Sequence, residues 1–258
     1  MRVLFIGDVV GGPGRRGFAA AMPELRARYA PDLVVVNGEN SAGGMGITEK
    51  TANALFEAGA DAITTGNHVY RHREVYDYLN RSDRIVRPAN YPYANPGRGY
   101  TVIEAAGRRV GVINLSGAIG LTVARSPFHE VDSILEKIEA DFSIVDFHAE
   151  VSSEKVAMGW HLDGRVAAVL GTHTHVPTAD ARVLPQGTAF ISDVGMTGSR
   201  TSVLGVKPEL ILETMITQMP VKFETAEEDV WVMGAAVDVN EQGLADSIEQ
   251  VMVPAPMS

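Results

Sequence analysis

The chain is organised around residues 166–175, which read VAAVLGTHTH. The first five of these residues are apolar and predict a strand that is buried on both faces. His173 and His175 follow that strand two positions apart, and side chains at this spacing in an extended segment point to the same side. Neutral imidazole is a good ligand for Zn, Fe, Mn or Ni. The pair therefore indicates a metal site, although surface histidine pairs without a metal are also common.

The composition is that of a globular protein. The chain has 258 residues, 45% apolar and 21% charged, and we expect a single α/β domain over residues 1–258. The net charge of −10, without a basic cluster, argues against stable nucleic-acid binding and against a role at a membrane surface. The lack of cysteine excludes disulfides and thiolate metal sites. No apolar run approaches the ~20 residues of a membrane span, so we expect a cytoplasmic protein.

Short apolar runs alternate with helical patterns along most of the chain, as in a sheet covered by helices. We expect a turn-rich loop at residues 11–14, an interruption of the first helix at Pro23, and loops at 116–127 and 193–202. Predicted strands occupy residues 3–6, 33–36, 62–64, 100–104, 109–114, 144–147, 166–170, 181–184, 188–191, 230–240 and 244–253. Predicted helices occupy residues 15–29, 48–58, 71–79, 131–140, 152–160 and 207–219.

Five of the apolar runs end in polar residues of a few types. In open α/β sheets, ligands bind beyond the carboxyl ends of the strands, and right-handed crossovers place those ends along one edge. We therefore expect these residues, which are far apart in sequence, to converge on one cleft. They are Asp8, Glu39, Asn40, Asn67, His68, His148, His173 and His175.

This number of carboxylates, carboxamides and imidazoles exceeds what one ion needs and fits two ions bridged by a carboxylate. Two ions about 3.5–4 Å apart can activate a bridging water and clamp both oxygens of a phosphoryl transfer. Oxygen and nitrogen donors without sulfur favour Fe, Mn or Zn. His68 directly follows Asn67, so its side chain should point away from the metal bound by Asn67 while it stays at the rim. An imidazole there is suited to act as a general acid.

Each residue also has an ordinary structural interpretation. Asp8 could cap a turn, and Glu39 could pair with an arginine. The asparagines could hold turns, as asparagine often does. His148 could be a core histidine with satisfied hydrogen bonds. The joint placement of all these residues at strand ends favours a metal site over the separate explanations.

The same residues resemble the calcineurin-like metallophosphoesterase superfamily. The motifs of that family run D-x-H, G-D-x-x-D, G-N-H-[DE], an isolated H, and G-H-x-H. The corresponding segments here, in the same order and over most of the chain, are DVV at 8–10, NGEN at 37–40, GNHV at 66–69, FHAE at 147–150 and GTHTH at 171–175.

The chain departs from these motifs at three positions. Val10 stands where the first motif has a histidine ligand, Glu39 stands for the bridging aspartate, and Val69 replaces an acidic residue. Asn40 is the residue that can fill the gap left by the missing histidine. With the start GDVVG and the later segment GTHTHVPT, these departures resemble the YmdB-like branch of the superfamily.

The resemblance implies an α/β fold, a four-layer α/β/β/α sandwich in which two mixed sheets lie between helices. It also implies His68 as the general acid, and it implies that the chain forms a homo-oligomer. The ligands implied for one ion are Asp8, Glu39, Asn40 and His175. The ligands implied for the second ion are the bridging Glu39, Asn67, His148 and His173.

The resulting hypothesis is a dinuclear metal-dependent phosphodiesterase. The resemblance implies a cyclic nucleotide substrate such as 2′,3′-cyclic AMP and a regulatory role in bacteria. A metal-bridged hydroxide would attack phosphorus, with two Fe or Mn ions, or Zn as an alternative. The ligand set also permits another metallohydrolase, such as an amidase or deacetylase, or a non-catalytic regulator that binds metal or nucleotide.

Overall fold

The computed structural model describes residues 1–123 and 125–257. Across these residues, no helix is both long and apolar enough to cross a membrane. The strands are β1 Arg2–Ile6, β2 Asp8–Val9, β3 Leu33–Asn37, β4 Ala62–Thr64, β5 Tyr100–Ala105, β6 Arg108–Ser116, β7 Phe142–His148, β8 Ala168–Thr172, β9 Arg182–Val183, β10 Ala189–Ile191, β11 Met196–Ser199, β12 Val230–Val239 and β13 Ala245–Pro254. The helices are α1 Gly11–Tyr29, α2 Glu49–Glu57, α3 Val75–Arg81, α4 Pro127–Leu135, α5 Ser152–Leu162 and α6 Pro208–Thr217.

The strands form two mixed sheets. The first has the order β2-β11-β12-β1-β3-β4, with β13 also paired to β12, and the second has the order β5-β6-β7-β8-β10-β9. Strands β1, β3 and β4 are parallel neighbours in the first sheet, as are β6, β7 and β8 in the second. Parallel strands have their carboxyl ends at the same edge, so each sheet has an edge where the segments after several strands meet.

Alternation of side chains along the strands builds the layers. Leu4 of β1 packs in a cluster with Phe18 of α1. The next residue, Phe5, faces the other way and packs in a cluster with Val112 of the second sheet. On the far side of that sheet, Phe147 packs in a third cluster that includes residues of α4 and α5. The sequence-based prediction of a four-layer α/β/β/α sandwich is therefore confirmed.

The predictions of a loop at residues 11–14 and of an interruption of the first helix at Pro23 are both wrong. Residues 11–14 form its first turn rather than a loop, and the amide of Gly14 donates to the carbonyl of Val10 at 3.0 Å. Pro13 fits there because the first amide groups of a helix have no partner within the helix. Pro23 lies inside the continuous helix. Its neighbours Met22 and Leu25 are buried in the core, and packing of this face supports the helix.

Other boundaries differ in smaller ways. Helix α3 begins at Val75 rather than at residue 71, and α4 begins at Pro127 rather than at residue 131. Helix α2 is capped by Thr48 as expected, and Oγ1 of Thr48 accepts from the amide of Thr51 at 3.2 Å. The predicted loop at 193–202 contains β11, which pairs with β2 and β12. Glycine and hydroxyl residues make up most of this strand, so it has no apolar pattern that would predict a strand. The predicted loop at 116–127 includes residue 124, which lies outside the described residues.

Candidate metal centre

The polar residues predicted at the strand ends lie together where the two sheets meet. The first sheet supplies those that follow β1, β3 and β4, and the second supplies those that end or follow β7 and β8. A direct link between the sheets is the hydrogen bond from the amide of His173 to Oδ2 of Asp8, at 3.1 Å. The convergence follows from the parallel strands, whose carboxyl ends share an edge in each sheet.

One group of donor atoms surrounds Nε2 of the buried His148. This nitrogen lies 3.0 Å from Oε1 of Glu39 and 3.0 Å from Oδ1 of Asn67. It also lies 3.1 Å from Nδ1 of His173. Glu39, His148 and His173 form a group that could hold a metal ion, since their donor atoms lie within 4.8 Å of one another. We call these residues, with Asn67, the His148 group.

A second group lies on the other side of Glu39. His175 Nε2 is 3.7 Å from Oδ1 of Asp8 and 3.1 Å from Nδ2 of Asn40. That same Nδ2 lies 3.4 Å from Oε1 of Glu39. We call Asp8, Asn40 and His175 the Asp8 group. Glu39 contacts both groups through the same oxygen, Oε1.

Asn40 presents its amide nitrogen, rather than its oxygen, to the Asp8 group. Its Oδ1 instead lies 3.0 Å from Nδ1 of His68. A cation binds the amide oxygen, because the NH₂ group is only a donor. Asn40 can therefore act as a ligand only after its side-chain amide turns over, which exchanges the two atoms.

Hydrogen bonds fix which nitrogen of His148 carries the proton. Its Nδ1 lies 2.8 Å from Oγ1 of Thr172, and that hydroxyl donates to Oδ1 of Asp146 at 2.7 Å. The hydroxyl proton is committed to Asp146, so Thr172 accepts from Nδ1–H. In the neutral ring the lone pair is then on Nε2, which faces Glu39 and Asn67, and a partner of this kind orients histidine ligands in metal sites.

The other two imidazoles are oriented in the same way. His175 Nδ1 lies 3.0 Å from the carbonyl oxygen of Leu204, which can only accept, so Nε2 faces Asp8 with its lone pair. His173 Nε2 lies 3.0 Å from the carboxylate of Glu150, so its Nδ1 faces His148. Three rings thus direct lone pairs into a space lined by carboxylates, and this donor set fits divalent cations.

The electrostatics of the His148 group favour a positive charge. Burial lowers the pKa of His148, but the charge and hydrogen bond of Glu39 outweigh this and raise it to about 9. Burial raises the pKa of Glu39, but the charge of His148 outweighs this and holds it well below its usual range. Burial and the charge of His148 lower the pKa of His173 to about 4. A cation held by these residues would take the place of the His148 proton.

His68 lies at the edge of both groups. Its side chain is 30% exposed, and its Nδ1 lies 3.2 Å from Oε1 of Glu39 as well as 3.0 Å from Asn40. Its backbone amide donates to Oε2 of Glu39 at 3.0 Å. The ring is therefore tied to the ligand cluster through Nδ1 rather than standing apart from it.

The sequence reasoning missed the residues that orient the histidines. Asp146 and Glu150 flank His148 at two positions before and two after. Residues at this spacing in an extended segment share a side, but the spacing does not show which ring each carboxylate contacts. Asp146 is buried, which raises its pKa to about 6, and it accepts from Nδ2 of Asn37 at 2.8 Å.

The family follows from the match of nearly the whole chain. A model of the YmdB-like protein family matches residues 4–251. The chain belongs to this family. Among YmdB-like relatives, the 2′,3′-cyclic-nucleotide 2′-phosphodiesterase of Bacillus subtilis (strain 168) is 44% identical over 256 residues, which cover 98% of this chain and 97% of the relative. The resemblance read from the motifs is thereby confirmed.

Two crystal structures of similar proteins support the fold of this YmdB-like chain. A protein from Thermus thermophilus described as hypothetical is 42% identical, with a TM-score of 0.94 over 99% of this chain and 100% of that chain. A structure described as a novel phosphatase from Mycoplasma pneumoniae is 34% identical, with a TM-score of 0.93 over 98% of this chain and 93% of that chain.

Proposed function

We propose that this chain is a phosphodiesterase that hydrolyses cyclic nucleotides such as 2′,3′-cyclic AMP with the help of two divalent metal ions. The observation that carries the proposal is the position of Glu39. Its Oε1 lies 3.0 Å from His148 in one donor group and 3.4 Å from Asn40 in the other. A buried carboxylate that contacts both donor groups suits a bridging ligand.

Sequence similarity to a relative supports phosphodiester hydrolysis as the class of reaction. The chain is an enzyme of the phosphodiester hydrolase type by its 44% identity, over almost its whole length, to the Bacillus subtilis 2′,3′-cyclic-nucleotide 2′-phosphodiesterase. We extend the 2′,3′-cyclic nucleotide substrate of that relative to this chain.

The two donor groups divide the ligands between two ions. In this proposal the Asp8 group holds one ion, the His148 group holds the other, and Glu39 joins them. When bound, such a pair of ions supplies an activated water and neutralises the charge that develops at phosphorus. Mixed oxygen and nitrogen ligands suit Fe or Mn, with Zn as an alternative.

In this proposal His68 acts as the general acid. As the general acid the ring is an imidazolium, whose Nδ1–H donates to Glu39 and Asn40 and whose Nε2–H, on the partly exposed side, is the proton handed to the leaving oxygen. A positioned imidazole contributes typically about 10²–10⁴-fold to such a reaction. The backbone amide of His68 also donates to Glu39, which fixes the backbone that carries the ring.

We also propose that the chain forms a homo-oligomer. Each residue of α6 is at least partly exposed, and Leu212, Met215 and Ile216 are 53%, 71% and 79% exposed. An apolar helix face of this kind is typical of a surface that another protein covers. Light scattering of the wild type and of Ile216→Glu tests this, and a monomeric wild type contradicts it. The cytoplasmic location stays a prediction.

The decisive experiment is an activity panel on protein stripped of metal and then reloaded with Mn²⁺. We expect hydrolysis of 2′,3′-cyclic AMP and of a nitrophenyl phosphodiester only after reloading. Activity on amide or acetyl-amine substrates alone would favour an amidase or deacetylase. Tight Mn²⁺ binding without turnover of any substrate would favour the non-catalytic regulator.

A further inference from the structure

A buried ion pair lies directly behind the turn that carries His173 and His175. Lys155 belongs to α5, and Asp193 follows β10. Nζ of Lys155 lies 2.7 Å from Oδ2 of Asp193, and the two side chains are only 3% and 1% exposed. Neither residue belongs to the two donor groups.

The pair bonds to the residues on both sides of His173. Lys155 donates from Nζ to the carbonyl of Thr172 at 2.8 Å. Asp193 accepts from the amide of Thr174 at 3.1 Å and from its hydroxyl at 2.8 Å. The other carboxylate oxygen accepts from the amide of Gly195 at 2.9 Å. The backbone before and after His173 is therefore tied to one fixed point.

The turn needs such an anchor because its backbone is unfavourable. His173 has φ 99° and His175 has φ 66°, both in the left-handed region that residues with a Cβ avoid. Non-glycine residues persist in this region only when their surroundings hold them there, and they cluster at functional sites. These are the two residues whose imidazoles face His148 and Asp8.

A general contribution to stability does not explain the pair well. Removing two charges from water is costly, and buried ion pairs are often no better than apolar residues of similar volume. We therefore look for the role of Lys155 and Asp193 in the backbone segment to which they bond. The hydrogen bonds lead from both side chains to the turn between β8 and His175.

We propose that Lys155 and Asp193 are positioning residues that fix the backbone of the turn, so that His173 and His175 present their lone pairs to the two ions. The inference rests on the proposed metal function. It predicts that loss of the pair weakens metal binding and changes ligand geometry, beyond any effect on folding.

The test measures metal binding rather than turnover. Mn²⁺ dissociation constants are determined by titration calorimetry for the wild type, Lys155→Met, Asp193→Asn and the double variant, and visible spectra are recorded with Co²⁺. Loss of residues that orient metal ligands typically costs about 10–100-fold in affinity, and we expect that loss with an altered Co²⁺ spectrum. Lys137→Met, at an exposed lysine bonded to Ser133, is the matched control and should bind as the wild type.

The double variant separates positioning from folding. It leaves neither charge buried without a partner, so we expect its metal-free form to unfold near the wild-type temperature while Mn²⁺ binding stays weak. Wild-type affinity and an unchanged Co²⁺ spectrum in the double variant would overturn the inference. A wild type that binds no divalent ion would instead overturn the proposed function.

Variants of Thr174 test the same role while both charged residues, Lys155 and Asp193, stay in place. Thr174→Val removes only the hydroxyl bond to Asp193 and should weaken Mn²⁺ binding in the same direction but less. Thr174→Ser restores the hydroxyl and should rescue the affinity. Equal Mn²⁺ affinities for these two variants would contradict the positioning role, even where the Lys155 variants do not fold.

Discussion

The backbone amide of His173 donates a 3.1 Å hydrogen bond to Oδ2 of Asp8, although the two residues lie 165 positions apart. Asp8 follows β1 of the first sheet and His173 follows β8 of the second. The bond thus joins the carboxyl ends of the two sheets at the ligand cluster. In the proposed function Asp8 and His173 can hold metal only when both sheets have packed, so metal binding would report on the tertiary fold rather than on local structure.

Glu39→Gln should weaken the binding of both ions, because Glu39 contacts both donor groups and the change removes its negative charge. We expect at least about tenfold lower affinity, or ~1.4 kcal/mol. Metal analysis after dialysis against limiting Mn²⁺ measures the bound equivalents. Glu249→Gln, at an exposed carboxylate paired with Arg28, is the control. Two full equivalents bound to the Glu39 variant would refute the bridging role.

His68→Ala should keep both ions and lose turnover. The ring contacts Glu39 and Asn40 without belonging to either donor group. We expect a loss of about 10²–10⁴-fold in kcat on 2′,3′-cyclic AMP. The loss should be smaller on a nitrophenyl diester, whose leaving group needs no proton. His129→Ala, on α4, is the control, and normal kcat of the His68 variant on the cyclic nucleotide would remove His68 from the acid role.

The strands that are buried on both faces, and the polar cluster at their ends, could be predicted from the sequence. Strands β1, β3 and β8 show continuous apolar runs because helices and the other sheet cover them, and their ends located the polar cluster. Strand β11 was missed because its glycine and hydroxyl residues carry no apolar pattern. The first turn of α1 was missed because glycine and proline usually mark loops. Its formation depends on packing against the first sheet.

The partners of the histidines could not be predicted in the same way. The bond from Thr172 to Asp146 joins neighbouring strands, and the carbonyl of Leu204 reaches His175 from a distant loop. Such contacts depend on register and loop path, which a single sequence does not specify. The same holds for Lys155 and Asp193, whose role is visible only from the backbone groups that they contact.

Gly66→Ala should abolish metal binding through a steric effect alone. A Cβ at this position would lie 2.3 Å from Oε2 of Glu39 and 2.3 Å from Nε2 of His148. Two ligands would have to move apart, and their common ion would lose its geometry. Gly12→Ala is the matched control, because its Cβ would meet only the flexible ends of arginine side chains at 3.1 Å or more.

The measurement for Gly66→Ala is the Mn²⁺ dissociation constant, with thermal unfolding of the metal-free protein recorded beside it. We expect no measurable binding by the Gly66 variant and wild-type binding by the Gly12 variant. Tight Mn²⁺ binding by the Gly66 variant would show that Glu39 and His148 do not share an ion.

Thr172→Val should weaken the metal site by releasing His148. The change keeps the shape of the side chain but removes the hydroxyl that links Nδ1 of His148 to Asp146. Loss of such an orienting partner typically costs about 10–100-fold in metal affinity. Asp146 also loses a donor while buried, which should lower the free energy of unfolding by about 1–3 kcal/mol.

Thr197→Val separates these two effects of the Thr172 change. Thr197 is buried, and its hydroxyl has no hydrogen-bond partner among the described residues. Replacing it should therefore leave the Mn²⁺ affinity unchanged and should not lower the free energy of unfolding. Calorimetric titration and chemical denaturation give both quantities for each variant. If Thr172→Val loses stability but keeps wild-type Mn²⁺ affinity, the Thr172–Asp146 bond supports the fold and does not orient His148.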